Sequence, residues 1–174
     1  MIMIDRRVTM SFLKCSLVVT VLSICLLDVN FSHAIDVWNV KNSYSGKCLN
    51  VLNSTMKNGG NVVQARDCDG NNSKWELTKV DGQFYNLRAL HSGQCLNVLN
   101  FSGRNGGNVV QAKDCTQNSS QWAKKDLGGG VYNLRARHSG FCLNVLNNSR
   151  SNGGNVVQAK DCQQETSLWR LIKR

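Results

Sequence analysis

The segment Asn105–Cys115, NGGNVVQAKDC, recurs unchanged at Asn152–Cys162, and a further copy at Asn58–Cys68 differs only by Arg66 in place of lysine. The interval is 47 residues and holds beyond the segment: Cys48, Cys95 and Cys142 keep it, as do Trp75, Trp122 and Trp169. No gap is needed, so three copies of one unit account for nearly everything after Ala34. Such repetition constrains the fold more than composition does. One short unit cannot bury its own apolar face and has to pack on its neighbours.

Within a unit the candidate elements are short. Trp38–Lys41, Cys48–Val51, Val62–Arg66 and Trp75–Thr78 read as strands, separated by Gly, Asn and Ser clusters. No helical period follows Ala34, so the expectation is all-β: four strands in each of three copies, twelve in total. Open solenoids carry atypical end repeats and propellers typically need at least about four blades. Three equal copies therefore predict closure about a threefold axis, which also removes exposed strand edges. The ends agree, since Trp169–Ile172 is the last strand of copy three and Trp38 opens the first of copy one.

The N-terminal third begins differently. Arg6, Arg7 and Lys14 precede an uncharged apolar run, Cys15–Leu27, and then Ser32-His33-Ala34. That order is expected of a secretory signal peptide over residues 1–34, with Met10 an equally acceptable start. A spanning helix would need about 20 apolar residues. A lipoprotein site at Cys25 is disfavoured by the bulky Ile24 before it. The expected mature domain is 35–174, secreted or periplasmic, with no transmembrane segment. It retains 18 Lys+Arg against 9 Asp+Glu, a net charge of +9 that favours anionic partners. Acidic glycans and lipid head groups fit that balance; nucleic acid is the least expected of such partners for an exported chain, and none is expected as a partner.

The order Gly-x-Cys-Leu-Asn-Val, Asn-Gly-Gly-Asn-Val-Val-Gln, Asp-Cys, Ser-x-Trp, repeated over Trp38–Ile172, resembles the ricin B-type lectin family. The resemblance implies a β-trefoil that binds glycans or glycoconjugates. The family's repeat usually reads Cys-Leu-Asp, Val-Gln-x-aromatic and Gln-x-Trp. Here Asn50, Asn97 and Asn144 replace the aspartate, Arg66, Lys113 and Lys160 the aromatic, and Ser73, Ser120 and Ser167 the glutamine. By resemblance, Asn50, Gln64 and Asn72 hold the hydroxyl-contacting positions of copy one. Asn97, Gln111 and Ser119 hold them in copy two, and Asn144, Gln158 and Thr166 in copy three.

Strand alternation gives an independent reading. Leu49 and Val51 are expected to face the core and Cys48 and Asn50 to face outward; on the next strand Val63 and Ala65 face in, and Gln64, Arg66 and Cys68 out. Threefold repetition leaves two symmetric cysteine pairings, Cys48 with Cys68 or Cys68 with Cys95, and face sharing favours the first, with Cys95–Cys115 and Cys142–Cys162 following. Each such loop is worth about 3 kcal/mol in the chain-entropy picture. No zinc-type spacing accompanies these cysteines, and neither metal nor cofactor is expected. The repeated tryptophans are expected in the core, and Asp67, Asp114 and Asp161 in local turn caps.

Amide side chains offer paired donors and an acceptor, which suits vicinal sugar hydroxyls. The cations Arg66, Lys113 and Lys160, replacing a stacking surface, predict a preference for acidic glycans. Lys41, Arg88 and Arg135 form another repeated cationic set whose face parity leaves open. No nucleophile stands beside a plausible base, so an enzyme is not expected. The competing readings are a receptor-binding or assembly subunit of a secreted toxin, for which Phe101 and Phe141 supply small differences between copies, and an inhibitor or structural trefoil without a glycan ligand. Sequons stand at Asn53, Asn71, Asn100, Asn118 and Asn147.

Overall fold

The computed structural model describes residues 36–174. The predicted signal segment and its cleavage site lie outside the described residues. Copy one forms β1 (Val37–Asn42), β2 (Cys48–Val51), β3 (Val62–Ala65) and β4 (Trp75–Asp81). Copy two forms β5 (Phe84–Ala89), β6 (Cys95–Val98), β7 (Val109–Ala112) and β8 (Trp122–Asp126). Copy three forms β9 (Val131–Ala136), β10 (Cys142–Val145), β11 (Val156–Ala159) and β12 (Trp169–Lys173).

The outer strands of each copy close on one another. β1 pairs with β4, β4 with β5, β5 with β8, β8 with β9, β9 with β12, and β12 returns to β1. The result is a six-stranded antiparallel barrel without a free edge, and the hairpins β2–β3, β6–β7 and β10–β11 lie on it as a threefold set. This is the β-trefoil. Its core repeats in the same register: Leu49, Leu96 and Leu143 are fully buried, as are Val51, Val98 and Val145 and the three tryptophans. Each indole also donates from Nε1 to a carbonyl, Trp75 to Leu49, Trp122 to Leu96 and Trp169 to Leu143, all at 2.9 Å. A buried indole N–H needs such a partner.

The hairpins explain why one segment is written three times. Gly59 donates to the Gln111 carbonyl at 2.9 Å and Gln111 N–H donates back to the Gly60 carbonyl at 2.8 Å. The same exchange joins Gly106–Gly107 to Gln158, and Gly153–Gly154 to Gln64, so each copy grips the one before it and the ring closes. Gly59 has φ of +79°, a conformation that glycine adopts without a Cβ penalty. Gly60 is needed for space: a Cβ there would stand 2.5 Å from Thr55 Cγ2 and 3.0 Å from Gln111 Nε2. Closer to the axis, Asn61 donates to Asn155, Asn155 to Asn108 and Asn108 to Asn61, at 2.9, 2.9 and 3.0 Å.

One expectation is overturned here. Opposite residues of an antiparallel pair share a face, and Gln64 stands opposite Leu49 while Val63 stands opposite Asn50. Gln64, Gln111 and Gln158 are therefore on the inner face and fully buried, not on the outward face with Asn50. Val62, Val109 and Val156 join the core, while Val63, Val110 and Val157 are buried beneath the other side. Both valines are apolar, so alternation had no polar mark by which to choose between them.

Candidate functional site

Disulfides join Cys48 to Cys68, Cys95 to Cys115 and Cys142 to Cys162, with Cα separations of 5.5, 5.5 and 5.4 Å. Each pins the loop after the inner hairpin against that hairpin's first strand. On the face shared by the first cysteine, the asparagine and the second valine of the hairpin, a cleft opens. In copy three it has a volume of about 310 Å³ and is lined by Asn144, Asn147, Val157, Lys160, Asp161 and Gln164, with Asn105 and Gly106 from copy two. In copy two the equivalent cleft is about 470 Å³, lined by Asn97, Asn100, Val110, Lys113, Asp114 and Gln117, with Asn58 and Gly59 from copy one.

The floor of each cleft fixes how its asparagine points. Asn97 Nδ2 donates to Ser119 Oγ at 2.9 Å and Ser120 Oγ at 2.7 Å. Ser120 Oγ in turn donates to the Asp114 carbonyl at 2.8 Å, so toward Asn97 it can only accept. In copy three Asn144 Nδ2 meets Thr166 Oγ1 and Ser167 Oγ, both at 2.8 Å, and Ser167 Oγ donates to the Asp161 carbonyl at 3.1 Å. The amide nitrogen is thereby held inward, which turns Oδ1 toward the cleft. Among the described residues the Oδ1 of Asn97 and of Asn144 accepts no hydrogen bond.

The two departures from the family pattern are thus coupled. A carboxylate at this place only accepts and would need a neighbour that donates, as a glutamine amide can; an asparagine also donates, and here the fully buried serine accepts from it. Sequence marked Ser73, Ser120 and Ser167 only as replacements of the family's glutamine; their role as acceptors was not legible because their partner is remote in the chain.

The remaining predicted positions separate. Arg66, Lys113 and Lys160 are exposed, and Lys113 and Lys160 line their clefts. Ser119 and Thr166 are buried in the floor. The glutamines sit inside the seams: Gln111 Nε2 donates to the carbonyls of Thr55 and Lys57 at 2.7 and 2.9 Å, and its Oε1 accepts from Ser92 Oγ at 2.8 Å. Gln64 and Gln158 do the same with Ser149, Ser151 and Ser45, and with Ser102, Arg104 and Ser139. Both amide hydrogens are occupied within the chain. Lys41, Arg88 and Arg135 stand opposite Cys48, Cys95 and Cys142, beside the disulfides and not among the residues lining the two clefts.

Two contributors escaped the sequence reading. Asp114 and Asp161 cap their turns, accepting from the N–H groups of Thr116 and Gln163 at 2.8 Å, yet they are exposed and line the clefts as well. Hydrogen bonds from the Thr116 hydroxyl and backbone hold the Asp114 carboxyl below the usual carboxylate range, so it stays an ionised acceptor. Phe101 lines the copy-two cleft at 49% exposure, held at φ +54° with its ring edge-on to His138. A bulky residue in that conformation is rare and marks a constrained position. Copy two thus has an aromatic ring at its cleft where sequence expected the stacking surface to be lost, on a different loop from the Lys113 position.

Among the described residues no cluster of His, Cys, Asp or Glu could hold a metal ion, and no helix is long and apolar enough to cross a membrane.

The family described as ricin-type beta-trefoil lectin domain-like matches residues 28–112, 71–159 and 118–173. No curated protein matches the sequence. Among solved structures, the designed threefold-symmetric protein ThreeFoil is similar at 39% identity and a TM-score of 0.77, over 78% of this chain and 97% of that one. An exo-β-1,3-galactanase from Clostridium thermocellum is similar at 27% identity and a TM-score of 0.79, over 82% of this chain but 31% of that one. The Macrolepiota procera ricin B-like lectin, solved with lactose, shares the fold at 15% identity and a TM-score of 0.68, over 79% and 95% of the two chains. With its threefold repeat closed into a trefoil and the family pattern matched across all three copies, the chain belongs to the ricin-type β-trefoil lectin family.

Proposed function

We propose that the protein is a secreted lectin whose outward clefts bind glycans carrying an acidic group. The observation that carries this reading is the outward-held Oδ1 of Asn97 and Asn144, an acceptor without an internal partner beside an exposed lysine and an exposed carboxylate. Sugar hydroxyls both donate and accept, so a carbonyl oxygen and a carboxylate on one wall, with an ammonium nearby, suit a diol. A lectin solved with lactose on the same fold supports the class of ligand. Lys113 and Lys160 have no ion-pair partner among the described residues and support an anionic substituent on their side of the cleft. Asp114 and Asp161 restrict that substituent to the lysine end.

Asn97→Ala with Asn144→Ala should remove binding to a sialylated or uronate-bearing glycan array, at a cost in stability of about 1 kcal/mol per site. Lys113→Gln with Lys160→Gln should weaken acidic glycans and spare neutral ones. Binding of the unaltered protein should weaken as the Debye length falls from about 10 Å at 0.1 M salt to about 3 Å at 1 M. Retention of binding by the asparagine pair variant, or tight neutral binding indifferent to salt, would count against the reading.

The three disulfides support an oxidising compartment. N-terminal sequencing of the exported chain should start at Ile35; a product retaining Met1 or Met10 would contradict secretion by this leader.

A further inference from the structure

We propose that this lectin has two working clefts and not three, because Asn72 closes the cleft of copy one. The inference rests on the carbohydrate reading above. The copies agree at the asparagine and at the serine that orients it: Asn50 Nδ2 donates to Ser73 Oγ at 2.6 Å, and Ser73 Oγ to the Asp67 carbonyl at 2.7 Å. They differ one residue before the serine, where copies two and three have the short hydroxyl residues Ser119 and Thr166 and copy one has Asn72. Those hydroxyls accept from the asparagine's Nδ2, leaving its Oδ1 open. Asn72 instead donates from Nδ2 to Asn50 Oδ1 at 3.2 Å and to the Val51 carbonyl at 3.0 Å. The acceptor a sugar hydroxyl would use is already occupied in copy one.

A further substitution fits the same arrangement. Gln117 and Gln164 line the open clefts, and the equivalent residue in copy one is Gly70. Its backbone does not require glycine: φ and ψ are −60° and 146°, against −65° and 142° at Gln117 and −56° and 137° at Gln164. A Cβ at Gly70 would stand 2.6 Å from Asn72 Oδ1, so a side chain there, as the open copies have, would displace the Asn72 amide from its folded-over position. On its outer side the same loop is held by Arg174, whose guanidinium pairs with Asp69 at 3.1 Å. Asn50 itself is 6% exposed against 5% for Asn97 and 4% for Asn144, so burial does not separate the copies; the direction of one hydrogen bond does.

The test follows the side-chain amide resonances of Asn50, Asn97 and Asn144 in the isotopically labelled protein, titrated with methyl β-galactoside and with methyl β-glucuronide. Signals of Asn97 and Asn144 should move and that of Asn50 should not, with two ligands bound by native mass spectrometry. In Gly70→Gln/Asn72→Ser the Asn50 signal should join them and the count should rise to three; Asn72→Ser alone should already free the Asn50 acceptor. Movement of Asn50 in the unaltered protein overturns the proposal while leaving the lectin reading intact. A silent Asn50 in both variants, while Asn97 and Asn144 still respond, overturns the role given to Asn72. If neither sugar moves any of the three signals, the carbohydrate reading fails and the two-cleft proposal falls with it.

Discussion

Reduced and alkylated, the chain should be unfolded at 25 °C. Each disulfide closes a loop of 20 residues. A loop of that size removes about 3 kcal/mol of conformational freedom from the denatured ensemble, so three together approach about 9 kcal/mol. A small domain is typically stable by only about 5–15 kcal/mol. The loops share no residues, so their contributions should be nearly additive, and replacing one cysteine pair by alanine should cost close to a third of the total. Far-UV circular dichroism of the carbamidomethylated protein checks the first expectation and urea unfolding of the single-pair variants the second. A reduced chain that still melts cooperatively above about 50 °C, within the usual mesophile range, would show that the barrel core suffices alone.

Gln111→Ala should be the most damaging polar substitution in the molecule. The side chain is fully buried and joins copy two to the Thr55 and Lys57 carbonyls of copy one, with Ser92 donating to its Oε1. Alanine would remove three buried hydrogen bonds across the seam, leaving the Thr55 carbonyl with His91 Nε2, the Lys57 carbonyl with Gly60 N–H, and the Ser92 hydroxyl without its acceptor. At about 0.5–1.5 kcal/mol for each of three lost hydrogen bonds, the expected loss is about 2–4 kcal/mol. Gln111→Glu should be no better, since its carboxylate would face the two carbonyls. Gln64, Gln111 and Gln158 lie in different seams, and the triple alanine variant should not fold. A loss below about 0.5 kcal/mol for Gln111→Ala would place it among ordinary surface changes and refute the seam role. The contrast with the Asn97→Ala/Asn144→Ala pair is diagnostic, because that variant should keep its fold and lose its ligand.

What the amino-acid sequence determined by itself is what repetition and alternation can carry. A gapless interval of 47 residues gave three equal units, four strand segments in each, and closure of the ring without caps. The tryptophans were legible as core because each ends an apolar pattern at a fixed place. The cysteines pair within each unit as expected, although the β3 face parity used to choose that pairing does not hold at Gln64. Three things only the tertiary structure decided. The inward face of β3 depended on which of two adjacent valines meets the barrel, a choice hydrophobicity leaves degenerate. The glutamines became seam clamps because their partners are backbone carbonyls of another copy, and a carbonyl leaves no trace in a side-chain pattern. The two open clefts and the closed one differ by where a short amide side chain finds its acceptor: Asn72 reaches Asn50 across 22 residues of chain, and no local rule reads a hydrogen bond that only folding brings within 3.2 Å.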